Sequence, residues 1–267
     1  MLNETQSFIK NKIFNGWTKF EVILLSINCA IGLAIMIWGF VDYKLVSEVQ
    51  WLAYLINVVS FLACVTNAIC FILIGKKRVS NYIWGLIAVV LLGGVAFFNE
   101  NTATWILNWV FYIPTQIAGF FMWRHAQNKK SEIKPRKLKW YIFMCLSIIC
   151  VGIVVALTYV NSLPDVQKLF YPSNDIISNP SFIDWLRFFA DAAVLTVSVF
   201  AMIMMILRYV EQLLLWIVAD ASLIILWVVT LIIEQDVSAI QMVLTWVVTL
   251  MIVIYGYINW RKQLVKK

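Results

Sequence analysis

The chain has 267 residues, 63% of them hydrophobic and 13% charged, with a formal net charge of +7. Soluble domains hold roughly 45–50% apolar and about 25% charged residues, so a water-soluble fold, a disordered chain and a conventional nucleic-acid binder are excluded. A mean hydropathy of +0.86 puts the chain in a bilayer, and the five cysteines, all inside apolar runs, have neither metal nor redox spacing.

A hydrocarbon core about 30 Å thick takes about 20 apolar residues in a helix. Residues 1–20 come first, with Ile9, Ile13, Trp17 and Phe20 on one helical stripe. That stripe suits a cytoplasmic segment lying on the inner leaflet, the alternative being a partly ordered tail. The first apolar run, 21–41, is followed by Asp42 and Tyr43 rather than by a cleavage site, and it reads as a retained anchor. Further runs lie near 51–74, 82–98, 103–123 and 140–160. The connection 162–186, with Pro164, Pro172 and Pro180 and the apolar cluster Leu169, Phe170, Tyr171, reads as an extracytoplasmic loop hugging the membrane. Runs near 187–206, 213–233 and 239–260 precede a cytoplasmic tail at 262–267. The expected fold is an all-α integral membrane protein with eight transmembrane helices, since barrel strands would read as alternating segments of about ten residues.

Charge fixes the orientation. Of the 21 Lys and Arg residues, all but Lys44, Lys168 and Arg187 fall in alternate connections on one side, which the positive-inside rule makes cytoplasmic, together with both termini.

The chain also carries an internal echo. Lys76 then Trp84, and Arg208 then Trp216, are offset by 132 residues. Gly119, Trp123 and Arg124 recur as Gly256, Trp260 and Arg261 with an offset of 137. An offset of four spans gives a parallel repeat. The units are 51–124 and 187–261, joined by a linker helix at 139–161 and preceded by the extra helix 21–41. Transporters place substrate at the interface of such units.

The segments SNYIWG at 80–85 and LNWVFYIPTQIAGFFMWR at 107–124, then Trp216 and Asp220 in W-x-x-x-D and YGYINWR at 255–261, resemble the PnuC family of bacterial vitamin transporters. The resemblance spans about residues 50–262. It implies a fold similar to the SWEET sugar transporters, a homotrimer in the inner membrane, and facilitated diffusion of nicotinamide riboside. It also implies a functional link to a cytosolic riboside kinase that traps the substrate. No cofactor is expected.

Polar side chains in a bilayer are costly and face the bundle interior. Trp216 and Asp220, one helical step apart, pair an indole with a carboxyl group. A pyridinium riboside offers a cationic ring to the indole and hydroxyls to the carboxylate. Asp220 could equally bond a neighbouring helix. Asn108, Tyr112, Gln116 and Phe120 make a polar and aromatic stripe, and Pro114 frees a backbone carbonyl beside it. Gln116 is expected nearest the midplane. Trp84 is a second ring-stacking candidate and Tyr255 a further wall residue. Thr245 and Thr249 are expected to bond their own backbone. Gly119 and Gly256 should permit close packing, while Trp123 and Trp260, each followed by an arginine, read as anchors at the inner interface.

Enzyme motifs such as H-E-x-x-H, G-x-S-x-G and Walker A are absent from the sequence, so no enzyme is expected. A thiamine or riboflavin carrier is the related alternative, and a scaffold or sensor without transport is the alternative of another class.

Overall fold

A computed structural model describes residues 16–41, 49–98, 102–130, 135–170, 177, 179–234 and 238–265. Its order is α1 (Lys19–Val41), α2 (Gln50–Gly75), α3 (Asn81–Phe98), α4 (Thr102–Ile106), a π-helical turn (Leu107–Tyr112), α5 (Ile113–Lys130), α6 (Trp140–Asn161), α7 (Pro164–Phe170), α8 (Phe182–Ile206), α9 (Gln212–Glu234) and α10 (Ser238–Val265). Among the described residues there is no strand, only an isolated bridge between Arg136 and Tyr209.

Seven of these helices are long and apolar enough to cross a membrane. The remaining expected span, 103–123, falls on the continuous helical stretch Thr102–Lys130, which the π-helical turn divides into pieces. Pro114 accounts for the interruption. It has no N–H, and its ring crowds the carbonyl four residues back, so the turn before it widens. The backbone N–H of Ile113 accordingly reaches the Asn108 carbonyl, five residues back.

Helix ends follow local chemistry. Glu21 accepts from the Thr18 N–H at 2.7 Å while Thr18 Oγ1 accepts from Glu21, a reciprocal cap that starts α1. Ser181 and Asp184 cap α8 in the same way and start it five residues before the expected 187, drawing Asp184 and Arg187 into the helix. Pro164 opens α7 inside the stretch expected to be a loop, at the first-turn position where its missing N–H costs nothing. Gln167 ties that turn down through the backbone of Ile177 and Ser162. Tyr171, Pro172 and the stripe residues Ile9 and Ile13 lie outside the described residues.

The packing is reciprocal. α2 lies against α3, and α3 against α5; α8 lies against α9, and α9 against α10. Across these groups α10 touches α2 and α5 touches α8. α6 packs on α8 and leaves Ile148, Val151 and Val155 exposed, an apolar face suited to lipid. α1 covers the α2–α10 seam. There Asn28 donates to the Cys64 carbonyl at 3.2 Å and the Asn57 amide lies against Gly39, so a polar group and a glycine bring α1 and α2 together.

The turns after α2 and α8 are built alike. The N–H groups of Lys76 and Leu207 reach Ile72 O and Ile203 O, and those of Arg78 and Tyr209 reach Leu73 O and Met204 O. Lys77 and Arg208 adopt the left-handed conformation, with φ of 57° and 67°. These matches share an offset of 131, one less than separates Trp84 from Trp216.

Candidate functional site

The π-helical turn changes which residues share a face. In an α-helix a four-residue step overshoots a full turn by about 40°, so two steps from Asn108 to Gln116 would separate them by about 80°. The wider π turn holds more than four residues, so its step falls short and cancels most of that drift. Asn108 and Gln116 thus come onto one face, and each is 6% exposed. Asn108 donates to Thr104 O of its own helix at 2.9 Å. Tyr112 pairs with Ser198 of α8, linking the two helical groups.

Gln116 is positioned by a glycine. Its amide lies over Gly85 of α3, where an added Cβ would come within 2.5 Å of Nε2. Its Oε1 is buried with no hydrogen-bond partner among the described residues. The Trp216 indole of α9 stands edge-on to Phe71 of α2, 5.3 Å between centroids and 81° between planes. Its Nε1 is buried without a partner among the described residues, as is Asp220 Oδ2. Asp220 is 1% exposed. Trp84, Tyr112, Phe120 and Trp216 all pack against one apolar cluster that contains Phe71 and Ile252. An unpaired polar group in an apolar interior costs a few kcal/mol, so Gln116 Oε1, Trp216 Nε1 and Asp220 Oδ2, each left without a partner among the described residues, call for a function.

Tyr255 does not join this group. It packs on Phe20 at 4.9 Å and its hydroxyl lies 3.4 Å from Thr18 Oγ1, at the start of α1. Thr249 donates to Thr245 O within its own helix. Gly119 lies under Tyr82, and Gly75 and Gly256 face each other closely enough that a Cβ on Gly75 would meet the Gly256 Cα at 3.3 Å.

Trp123 and Trp260 differ from the interfacial anchors expected: both are fully buried. The Trp123 indole N–H donates to Met205 O at 3.0 Å, and that of Trp260 to Gly75 O at 2.9 Å and Ile74 O at 3.1 Å. Each indole closes the carbonyl end of a helix in the opposite group, where backbone acceptors lack intrahelical donors. Arg124 stacks over Phe120 at 5.9 Å and Arg261 over Tyr257 at 5.7 Å, again 137 residues apart.

The adjoining turns are held from outside the two groups. Glu21 pairs with Lys76 at 2.7 Å, beside a polar hollow of about 430 Å³ between α1, α2 and α10. Glu211 accepts from the Leu138 N–H at 3.2 Å, and Arg136 bridges to the α8–α9 turn. Burial, then the neighbouring Arg136, lowers the Arg208 guanidinium below its usual value. Among the described residues no three His, Cys, Asp or Glu side chains gather as a metal site.

Gly85, Phe71 and Ser198 are the contributors the sequence did not single out. A glycine beside Trp84 was the available signal for the first; the other two carry none outside three dimensions.

A bundle of membrane-crossing helices with unpaired amide, indole and carboxyl groups buried in its interior defines a polytopic membrane carrier. Comparison with known proteins gives the family. The family model described as nicotinamide mononucleotide transporter matches residues 57–262. The nicotinamide riboside transporter PnuC of Neisseria mucosa is 31% identical over 266 residues, covering 97% of this chain and 86% of that protein. PnuC of Haemophilus influenzae is 29% identical over 265 residues, covering 97% and 96%. A crystal structure of the vitamin B3 transporter PnuC superposes with a TM-score of 0.65 at 28% identity, covering 96% of each chain. The chain belongs to the PnuC family, which is a family of membrane transporters and not of enzymes.

Proposed function

We propose that this protein carries nicotinamide riboside across the bacterial inner membrane by facilitated diffusion, alternating access between two three-helix units. Its named relatives, 31% and 29% identical over nearly the whole chain, support that substrate. The observation that carries the site is that Gln116 Oε1, Trp216 Nε1 and Asp220 Oδ2 are each buried without a hydrogen-bond partner among the described residues. In this reading Trp216 or Trp84 stacks on the pyridinium ring, and Gln116, Asn108 and Asp220 receive the ribose hydroxyls, with Tyr112 lining the wall. Tyr255 belongs instead to the α1 contact. Asn108, Gln116 and Asp220 are buried, so one unit must move for substrate to reach them.

The architecture that goes with this reading has eight crossings, Thr102–Lys130 supplying the eighth, and a parallel repeat of α2–α5 and α8–α10 joined by α6, similar to SWEET transporters. Matching turns, crossed indole bonds and paired arginine–aromatic contacts support the repeat. Both termini are cytoplasmic, following the basic residues of the inner turns. A homotrimer embedded in lipid and a cytosolic riboside kinase complete the proposal, on the family resemblance.

A titration of purified protein with nicotinamide riboside, thiamine and riboflavin tests the substrate. Only the first should bind tightly, and Gln116→Ala and Trp216→Ala should each weaken it more than tenfold, about 1.4 kcal/mol. Preference for another vitamin overturns the substrate, and normal binding by both variants overturns the site.

A further inference from the structure

We infer that Gly85 is a positioning residue for substrate recognition: by lacking a side chain it seats the Gln116 amide. This rests on Gln116 being a substrate contact, as proposed above.

Three observations carry it. A Cβ on Gly85 would lie 2.5 Å from Gln116 Nε2 and 2.8 Å from Cδ and Oε1, closer than real Cβ contacts allow. What it meets is the end of a flexible side chain, so alanine there turns the amide away and leaves the helices in place. The conformation of Gly85 gives no other reason for glycine, since it lies within α3 and has no positive φ.

The second observation is the state of the amide. Gln116 is nearly buried and Oε1 is unpartnered among the described residues, so the glycine seat has not been used to satisfy the acceptor within the bundle. A buried amide held by shape and left with an open acceptor is poised for a donor from outside the protein.

The third is register. With the offset of 131 set by the two turns, Gly85 of α3 corresponds to Trp216 of α9. With the offset of 137 shared by Trp123 and Trp260, Gln116 corresponds to Val253. At corresponding places, one unit holds an amide over a glycine and the other an indole and an aliphatic residue. The ligand this asymmetry fits has an aromatic ring on one side and hydrogen-bonding groups on the other.

The test is a double-mutant cycle on full-length protein in detergent, with nicotinamide riboside as probe and thermal midpoint as a control for folding. Gly85→Ala and Gln116→Ala should each weaken binding at least tenfold, and the double variant should bind no worse than Gln116→Ala, because Gly85 acts only through that amide. The Gly85→Ala midpoint should stay within a few degrees of wild type. If Gln116→Ala binds normally, the site reading itself fails. If Gln116→Ala is impaired while Gly85→Ala binds like wild type, or if the two losses multiply, the positioning role is overturned. A Gly85→Ala protein that does not fold makes the glycine a packing residue and overturns it equally.

Discussion

The indole N–H of Trp260, at the end of α10, donates to the Gly75 carbonyl at the end of α2, 2.9 Å away. It also donates to the Ile74 carbonyl at 3.1 Å, and Trp123 makes the bond that corresponds to this second one, to Met205 at the end of α8; the two indoles lie 6.4 Å apart. α10 thus clasps the end of α2, and α5 the end of α8, at the end of the bundle that carries the basic turns. Replacing either tryptophan by phenylalanine keeps a six-membered aromatic ring and removes the pyrrole ring with its N–H donor. Each change should cost about 1 kcal/mol, read as a lower denaturation midpoint in detergent. Comparable losses are expected for the two; a loss for one and none for the other would contradict their equivalence.

The clasp also marks the limit of sequence reading. A tryptophan followed by arginine at the end of an apolar run looks the same whether its indole faces headgroups or a helix end, and only tertiary packing separates the two. Spans were legible because hydropathy depends on composition alone. The start of α8 was missed because Asp184 and Arg187 look extramembranous, although Ser181 and Asp184 form a cap. The stripe Asn108, Tyr112, Gln116 was legible as a spacing of four, but the π-helical turn that brings Asn108 and Gln116 onto one face was not; Pro114 was its only trace. Tyr255 shares a helix with Gly256 yet turns to Phe20, a contact with the extra helix that spacing within α10 cannot show.

Pro114→Ala tests the π turn. Alanine restores an N–H that can reach the carbonyl of residue 110, allowing regular helix through this segment and rotating Asn108 away from Gln116. Binding of nicotinamide riboside should fall about tenfold, equal to about 1.4 kcal/mol, with the thermal midpoint unchanged or raised. Unaltered binding would detach the turn from the site.

Asp220→Asn separates the two readings of that carboxyl. As a ligand contact held unpaired in the interior, its replacement by a neutral isostere should leave stability equal or higher while riboside affinity drops at least tenfold, about 1.4 kcal/mol. If Asp220 instead joins helices, the same variant loses stability and keeps its affinity. A melt and a titration on one preparation distinguish them.

Glu21 and Lys76 pair at 2.7 Å with side chains 7% and 15% exposed, tying α1 to the α2–α3 turn. Glu21→Gln should cost about 1.5–3 kcal/mol, because it weakens a charge-assisted bond. Exchanging the two charges should recover only part of this, since Glu21 also caps α1 and Lys76 also bonds Gly16 O at 2.6 Å. Chemical denaturation of the two variants beside wild type measures it, and an unchanged Glu21→Gln midpoint would leave α1 unanchored there.

Uptake of labelled nicotinamide riboside into sealed proteoliposomes measures the central claim most directly. Wild-type protein should give saturable entry that runs down the riboside gradient with no imposed ion gradient. Gln116→Ala and Trp216→Ala, reconstituted in equal amounts, should lose most of it. No uptake above protein-free vesicles by folded wild-type protein, or full uptake by both variants, would contradict the account.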